Sequence, residues 1–319
     1  MADWMLEANA ALSDALGAEV SERETVESSG ELANALVINA RTGMVERGGL
    51  RCARIFGPCG DMICLCGKLQ SKEHLGAVCP KCGVLCGSSH LRWTRVGQIG
   101  LPRAVVHPWA LPSLGAELGI EAGSLEALLR GAASWDSRSG SVVTLRETRL
   151  LHDAASAEHL LWGPSELAVM LNPLHTLSRI TVLAPRLRDH IAGPERALCE
   201  QICSLNWSDR SRAQDHSEVE AAARAVGLDA RYGDVIEASS SLRRALEDQA
   251  PRALSVHLAV ILQDAVGSLF GLPGARRGKR GSNYVRVLDE WADTLEALSN
   301  EQSRTQATQQ LLTALQIRL

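Results

Sequence analysis

Cys64-Leu-Cys66-Gly67 and Cys79-Pro-Lys-Cys82-Gly83 decide how this sequence is read. Four cysteines in the spacing Cys-x-Cys-x12-Cys-x2-Cys can present four thiolates to one tetrahedral zinc ion. Each pair is followed by glycine, which lets backbone N–H groups turn toward sulfur without a Cβ clash. Such a site has no open coordination position, so it organises a fold and does no chemistry. Disulfides, or thiols that merely pack, are the alternatives. The chain carries nine cysteines, an odd number, seven of them between Cys52 and Cys86. Bound metal in a reducing compartment suits that distribution better than a disulfide framework.

Around this nucleus the composition is sparse in aromatics, with 7 Trp but only 2 Tyr and 2 Phe in 319 residues. The core must therefore rest on Leu, Val, Ile and Ala, which favours helices. A formal net charge of -4 gives no general affinity for nucleic acid, yet Arg51 to Arg103 holds eight Lys/Arg against two Asp/Glu. The first residues lack a basic region and a long apolar run, so no signal peptide is expected. No run approaches the length of a membrane span. A cytoplasmic protein is expected.

Six regions follow from the patterning. Residues 1–30 hold a helix-like run (Met5, Leu6, Ala8, Leu12, Leu16) and an acidic stretch. Residues 31–108 are short-period and glycine-punctuated, as expected of hairpins around a metal. Residues 109–193 begin with a helical pattern (Leu111, Leu114, Leu118, Leu125, Leu128, Leu129). A Ser/Gly loop then leads from Trp135 to a strand near Leu145, and a strand over 180–188 stops at Pro185. Residues 194–230 are polar and helical. In 231–270, one apolar stripe (Val235, Ile236, Leu242, Ala245, Leu246) and a second (Leu254, Leu258, Ile261, Leu262, Ala265, Leu269) flank Pro251, the pattern of an antiparallel helical hairpin of coiled-coil type. Residues 271–319 give a basic loop and C-terminal helices. The fold class is α+β, mainly α.

These residues together resemble a known family. Gly49-Leu-Arg-Cys-Ala-Arg-Ile-Phe-Gly-Pro58, the four cysteines, Arg95-Val-Gly-Gln-Ile-Gly-Leu101 and His107-Pro-Trp109 are similar to the N-terminal zinc-binding and clamp region of the bacterial RNA polymerase β′ subunit. Val182-Leu-Ala-Pro-Arg-Leu-Arg188 is similar to the segment leading into its lid. The hairpin around Ala250-Pro251, with Leu262-Gln-Asp-Ala-Val266, resembles the clamp helices, and Gly278-Lys-Arg-Gly-Ser-Asn283 the rudder. The resemblance covers about residues 28–298 and is strongest over 49–109. It implies Zn2+ on Cys64, Cys66, Cys79 and Cys82, a clamp-like fold, and polymerase subunits or a σ-like factor as partners.

The departures matter equally. The family carries an Asp-x-Asp-x-Asp motif for catalytic magnesium, and no such motif occurs here. Phosphoryl transfer needs such acidic ligands, so these residues do not polymerise nucleotides unaided. Between Arg188 and Val235 the chain is longer than the family lid. Where the family presents arginines and a glutamate to σ, the matching positions are Ala238, Ser241 and Leu258, and Gln263 lies on the same second helix. Cross-interface charge pairs carry much of such docking, so their loss points to a changed partner. Three roles remain open: a split or stand-alone β′ fragment, a decoy that mimics the clamp to capture a σ-like factor, and a degenerate paralogue kept for its fold.

The remaining cysteines and His74 fall outside this ligand set. Cys52, Cys59 and Cys86 read as packed thiols, Cys199 and Cys203 as core, and His74 as a surface contact. Lys68, Lys72, Lys81, Arg92 and Arg95, with Arg276, Arg277, Lys279 and Arg280 in the rudder-like loop, are candidates for phosphate contact, though only Trp93 offers a stacking partner. No Walker loop, dinucleotide fingerprint, nucleophile elbow or zinc-protease motif is present.

Overall fold

A computed structural model describes residues 28–39, 41–144, 158–171, 175–186, 188 and 228–269. The chain divides into two compact units. One holds the described residues of Glu19–Ile99 and Thr181–Ile236, and the other those of Gly100–Ile180 and Glu237–Val285.

The first unit contains the cysteines and very little regular structure. Strands β1 (Ile38–Asn39) and β2 (Met44–Val45) pair antiparallel, with Ile38 opposite Val45. Their turn is held by the Asn39 side chain, whose Oδ1 accepts from the Arg41 N–H at 3.1 Å. Two single-turn helices, α1 (Ala53–Phe56) and α2 (Leu91–Thr94), stand on either side of the cysteine segment and pack on each other. Gly97 lies where a Cβ would sit 2.3 Å from Leu32 Cδ1 and 3.0 Å from Phe56 Cζ, so only glycine fits there.

The interior of this unit is charged. Arg51 donates from Nε and Nη2 to Asp229 Oδ2, at 2.9 and 2.8 Å. Arg188 donates to Asp229 Oδ1 and to the Leu50 carbonyl, and its guanidinium lies 5.6 Å from the Phe56 ring centroid and 5.9 Å from that of Tyr232. All three charged side chains are buried. Arg92 is fully buried as well, and donates to the carbonyls of Gly57 and Arg51 at 3.1 and 3.2 Å.

In the second unit, a three-stranded antiparallel sheet of order β5-β4-β6 combines β4 (Ala133–Asp136), β5 (Ser141–Thr144) and β6 (Leu160–Trp162). Asp136 accepts from the Arg138 N–H and the Ser139 hydroxyl, at 2.8 and 2.9 Å, and closes the β4–β5 turn. The expected loop from Trp135 is thus a hairpin, with Trp135 itself in a strand. The helical pattern after Trp109 is two helices, α3 (Leu111–Leu118) and α4 (Ala122–Leu129). Gly119, at φ 65, ends the first in the left-handed conformation. Leu114, Leu125, Leu128, Ala133, Trp135 and Leu167 form their common core. Helix α5 (Pro164–Met170) starts with proline in its first turn, and Glu166 turns back to accept the Trp162 N–H at 2.8 Å.

Strand β3 (Gly97–Val106) pairs with β7 (Thr176–Val182). β7 begins and ends earlier than the expected 180–188, and Pro185 lies beyond it. The two apolar stripes are helices α6 (Leu228–Glu247) and α7 (Arg252–Leu269). α7 packs on α5, where Val256 sits so close that a Cβ on Gly163 would lie 2.8 Å from its Cγ1. The expected helices in 1–27, most of 194–230, the rudder-like loop and the C-terminal helices fall outside the described residues.

Gln263 is buried, contrary to a partner-facing role. Its amide accepts the Val106 N–H and donates to the Val106 carbonyl, both at 2.8 Å, serving β3 as a neighbouring strand would. Truncation to alanine strands a buried donor and a buried acceptor, each costing about 1–3 kcal/mol. Gln263→Ala should therefore lose about 2–6 kcal/mol in urea unfolding, and a loss under about 0.5 kcal/mol would contradict this role.

Asp229 pairs with two buried guanidiniums at once. Removing one partner of a buried ion pair costs about 3–5 kcal/mol. Asp229→Asn is expected to lower stability by that amount or to prevent folding of the cysteine-bearing unit. Near-native stability in a denaturant titration would show that the two arginines are solvated without it.

Candidate metal centre

The local backbone makes two knuckles. In the first, the Cys64 N–H donates to Leu69 O and the Gly67 N–H to Cys64 O, both at 3.0 Å, and the Leu69 N–H points at Cys64 Sγ at 3.2 Å. In the second, the Cys79 N–H donates to Val84 O at 3.0 Å and the Gly83 N–H to Cys79 O at 2.7 Å. Gly67 and Gly83 have φ of 72° and 69°, the left-handed turn anticipated from the motif.

These turns bring Cys64, Cys66, Cys79 and Cys82 together, with all four Sγ atoms within 4.8 Å of one another. Cys66 Sγ lies 3.7 Å from both Cys64 Sγ and Cys79 Sγ. Tetrahedral zinc with Zn–S bonds of about 2.3 Å needs sulfurs about 3.8 Å apart. The donor set therefore fits Zn2+, and it is the one such cluster among the described residues. Cys64 and Cys79 are buried, Cys66 and Cys82 half-buried.

The electrostatics fit too. N–H groups of Cys82 and Lys81 donate to the Cys79 sulfur and hold its thiol down to about 6. Burial, with the neighbouring sulfurs, pushes the Cys66 thiol up to about 12. The two sulfurs are thus pulled in opposite directions, and a divalent cation among them would favour the thiolate form of each. Four thiolates around Zn2+ would still leave two negative charges, and Arg54 stands beside them: its Nε donates to the Cys82 carbonyl at 2.7 Å. Gly83 also makes room for this guanidinium, since a Cβ there would lie 2.7 Å from Arg54 Cζ. Neither Arg54 nor its fit to Gly83 was legible in the motif, because the two residues lie 29 positions apart.

The remaining candidates separate cleanly. Cys52, Cys59 and Cys86 are buried, form no disulfide and lie outside the cluster. Cys86 Sγ makes only long contacts, 3.9 Å to Leu69 O and 4.0 Å to Ser71 O. His74 is half-buried in a single 3-10 turn and is not a ligand. Lys68, Lys72 and Lys81 are exposed and Arg95 half-buried. Arg92 corrects the expectation of phosphate contact, because its guanidinium is buried on carbonyls. Ala238 is buried as well, which removes it from a partner-facing surface, while Ser241 and Leu258 are half-buried. Arg276, Arg277, Lys279 and Arg280 fall outside the described residues. His107 is buried, and its N–H donates to His175 O at 2.8 Å, a structural role.

No protein-family model matches the chain. Curated proteins do. The DNA-directed RNA polymerase subunit β′ of Delftia acidovorans is 31% identical over 303 residues, covering 85% of this chain and 21% of that subunit. The β′ subunit of Nitrosomonas eutropha is 31% identical over 307 residues, covering 84% of this chain and 21% of its own length. That of Polaromonas sp. is 30% identical over 303 residues, covering 85% and 21%. The chain is a relative of the RNA polymerase β′ subunit. It spans about a fifth of the length of these relatives, 21% in each case. Among the described residues no helix is long and apolar enough to cross a membrane.

In this β′ relative the metal's binding free energy is expected to be folding free energy. Cys79→Ser should lose bound zinc and unfold the segment between α1 and α2 while the helicity of α6 and α7 persists. Unchanged zinc content together with an unchanged melting curve would refute the ligand assignment.

Proposed function

We propose that this chain is a zinc-bearing, non-catalytic module of transcription, shaped like the N-terminal clamp region of β′ and working as a split or stand-alone fragment beside other RNA polymerase subunits. The observation that carries the reading is the relationship to β′ over 85% of the chain, with a four-sulfur cluster of the right dimensions inside it. These 319 residues carry no Asp-x-Asp-x-Asp motif to supply the acidic metal ligands of phosphoryl transfer, so in this reading they do not hold the catalytic metal themselves. In this reading α6 and α7 form the antiparallel clamp-like hairpin. Lys68, Lys72 and Arg95 meet phosphate of duplex or transcript, a sequence-independent contact that salt weakens. The loop with Arg276, Arg277, Lys279 and Arg280 serves the same purpose.

One observation favours a second reading. The resemblance puts Ala238, Ser241 and Leu258 where the family presents charge to σ; none of the three is charged, and Ala238 is buried. A decoy that holds a σ-like factor or another transcription protein through a redrawn face, with Ser241 and Leu258 at its surface, accounts for that change.

A tagged copy recovered from the native host, with bound proteins identified by mass spectrometry, separates the two. The expected result is the polymerase β and α chains in fixed stoichiometry. A σ-like factor or a foreign protein without the polymerase core would overturn the subunit reading in favour of the decoy.

A further inference from the structure

The loop that joins the two knuckles has a feature that metal binding does not use. Leu75, Gly76, Ala77 and Val78 are four consecutive exposed residues, and Leu75 and Val78 are each 62% exposed. The loop is nevertheless fixed. The Gly76 N–H donates to Cys86 O and the Cys86 N–H to Ala77 O, both at 2.8 Å, and the Cys79 N–H to Val84 O at 3.0 Å. These bonds set Val78 opposite Leu85 in an antiparallel bridge. In such a ladder the residue between the bonded positions turns its own N–H and C=O outward. Neither group of Val78 has a hydrogen-bond partner among the described residues. An open strand edge thus coincides with an exposed aliphatic pair, and exposed Lys72 and Lys81 stand three residues outside it on each side.

We propose that this edge docks an extended segment of a partner protein in which apolar residues alternate with Asp or Glu. Strand addition pairs the partner's backbone with Val78, and alternate side chains fall on one face. Apolar residues of the added strand cover Leu75 and Val78, and its carboxylates meet Lys72 and Lys81. A nucleic-acid strand is the competing occupant. It would use the lysines, but bases seek aromatic stacking surfaces and the loop offers only aliphatic ones. The inference concerns a separate surface and does not depend on assembly with polymerase.

The test is to pan a random peptide library on phage against the zinc-loaded full chain. Leu75→Ser/Val78→Thr and Val78→Pro serve as separate variants, with zinc content measured for each. Val78→Pro removes the outward N–H without breaking a ladder bond. Enriched peptides should alternate apolar with acidic residues and bind both variants at least about tenfold more weakly. If Val78→Pro loses its zinc, the double substitution decides. The proposal falls if nothing is enriched, or if enriched peptides bind the zinc-retaining double variant equally well. It also falls if a single-stranded oligonucleotide binds this loop through Lys72 and Lys81 with no dependence on Leu75 and Val78.

Discussion

Four sulfur atoms within 4.8 Å of one another are an electrostatic constraint before they are a structure. As thiols they make weak hydrogen bonds, and as thiolates they repel unless a cation sits among them. The segment from Asp61 to His90 has little else to fold around. Its buried residues are Cys64, Cys79, Val84, Cys86, Gly87 and Ser89, so its core is largely sulfur. A handful of buried side chains cannot offset the entropy of ordering about thirty residues, and small modules of this kind need a metal or a disulfide. The knuckle bonds, the two left-handed glycines, the Arg54 contact and the strand edge at Val78 all presuppose that the sulfurs converge.

A second charge problem lies in the same unit and is solved differently. Asp229 holds Arg51 and Arg188, which come from segments 178 and 41 residues away. Two buried cations share one carboxylate. Arg188 also meets the Leu50 carbonyl and the faces of Phe56 and Tyr232, rings that can take a guanidinium without hydrogen bonds. Buried ion clusters contribute little to net stability compared with an apolar replacement, but they tolerate few alternative partners. With the core largely aliphatic, a cluster of this kind fixes which segments meet.

The legible parts of the fold were those set by short-range chemistry. The cysteine spacing, the glycines behind it and the apolar stripes of α6 and α7 each act within one turn or one loop, so the pattern survives in the linear text. The hairpin at Trp135 is not legible in the sequence because its turn is built by Asp136 acting on Arg138 and Ser139, a local device that resembles an ordinary polar loop. Arg92 is illegible for the opposite reason. Its burial depends on carbonyls of Arg51 and Gly57, and no feature beside Arg92 announces them.

Gln263 shows where resemblance transfers and where it stops. A polar residue on a helix that resembles a docking helix invites a role at the interface. Yet a primary amide carries one donor group and one acceptor, the same pair that a neighbouring strand offers to an edge. Val106 takes both, and the helix is thereby pinned to the strand beneath it. A fold can be inherited through such inward contacts while its outward residues drift, because burying an unpaired amide costs more than changing an exposed charge. That asymmetry is how a chain about 30% identical to a β′ subunit can hold Gln263 on Val106 and four sulfurs within reach of one ion, whatever changes at its surface.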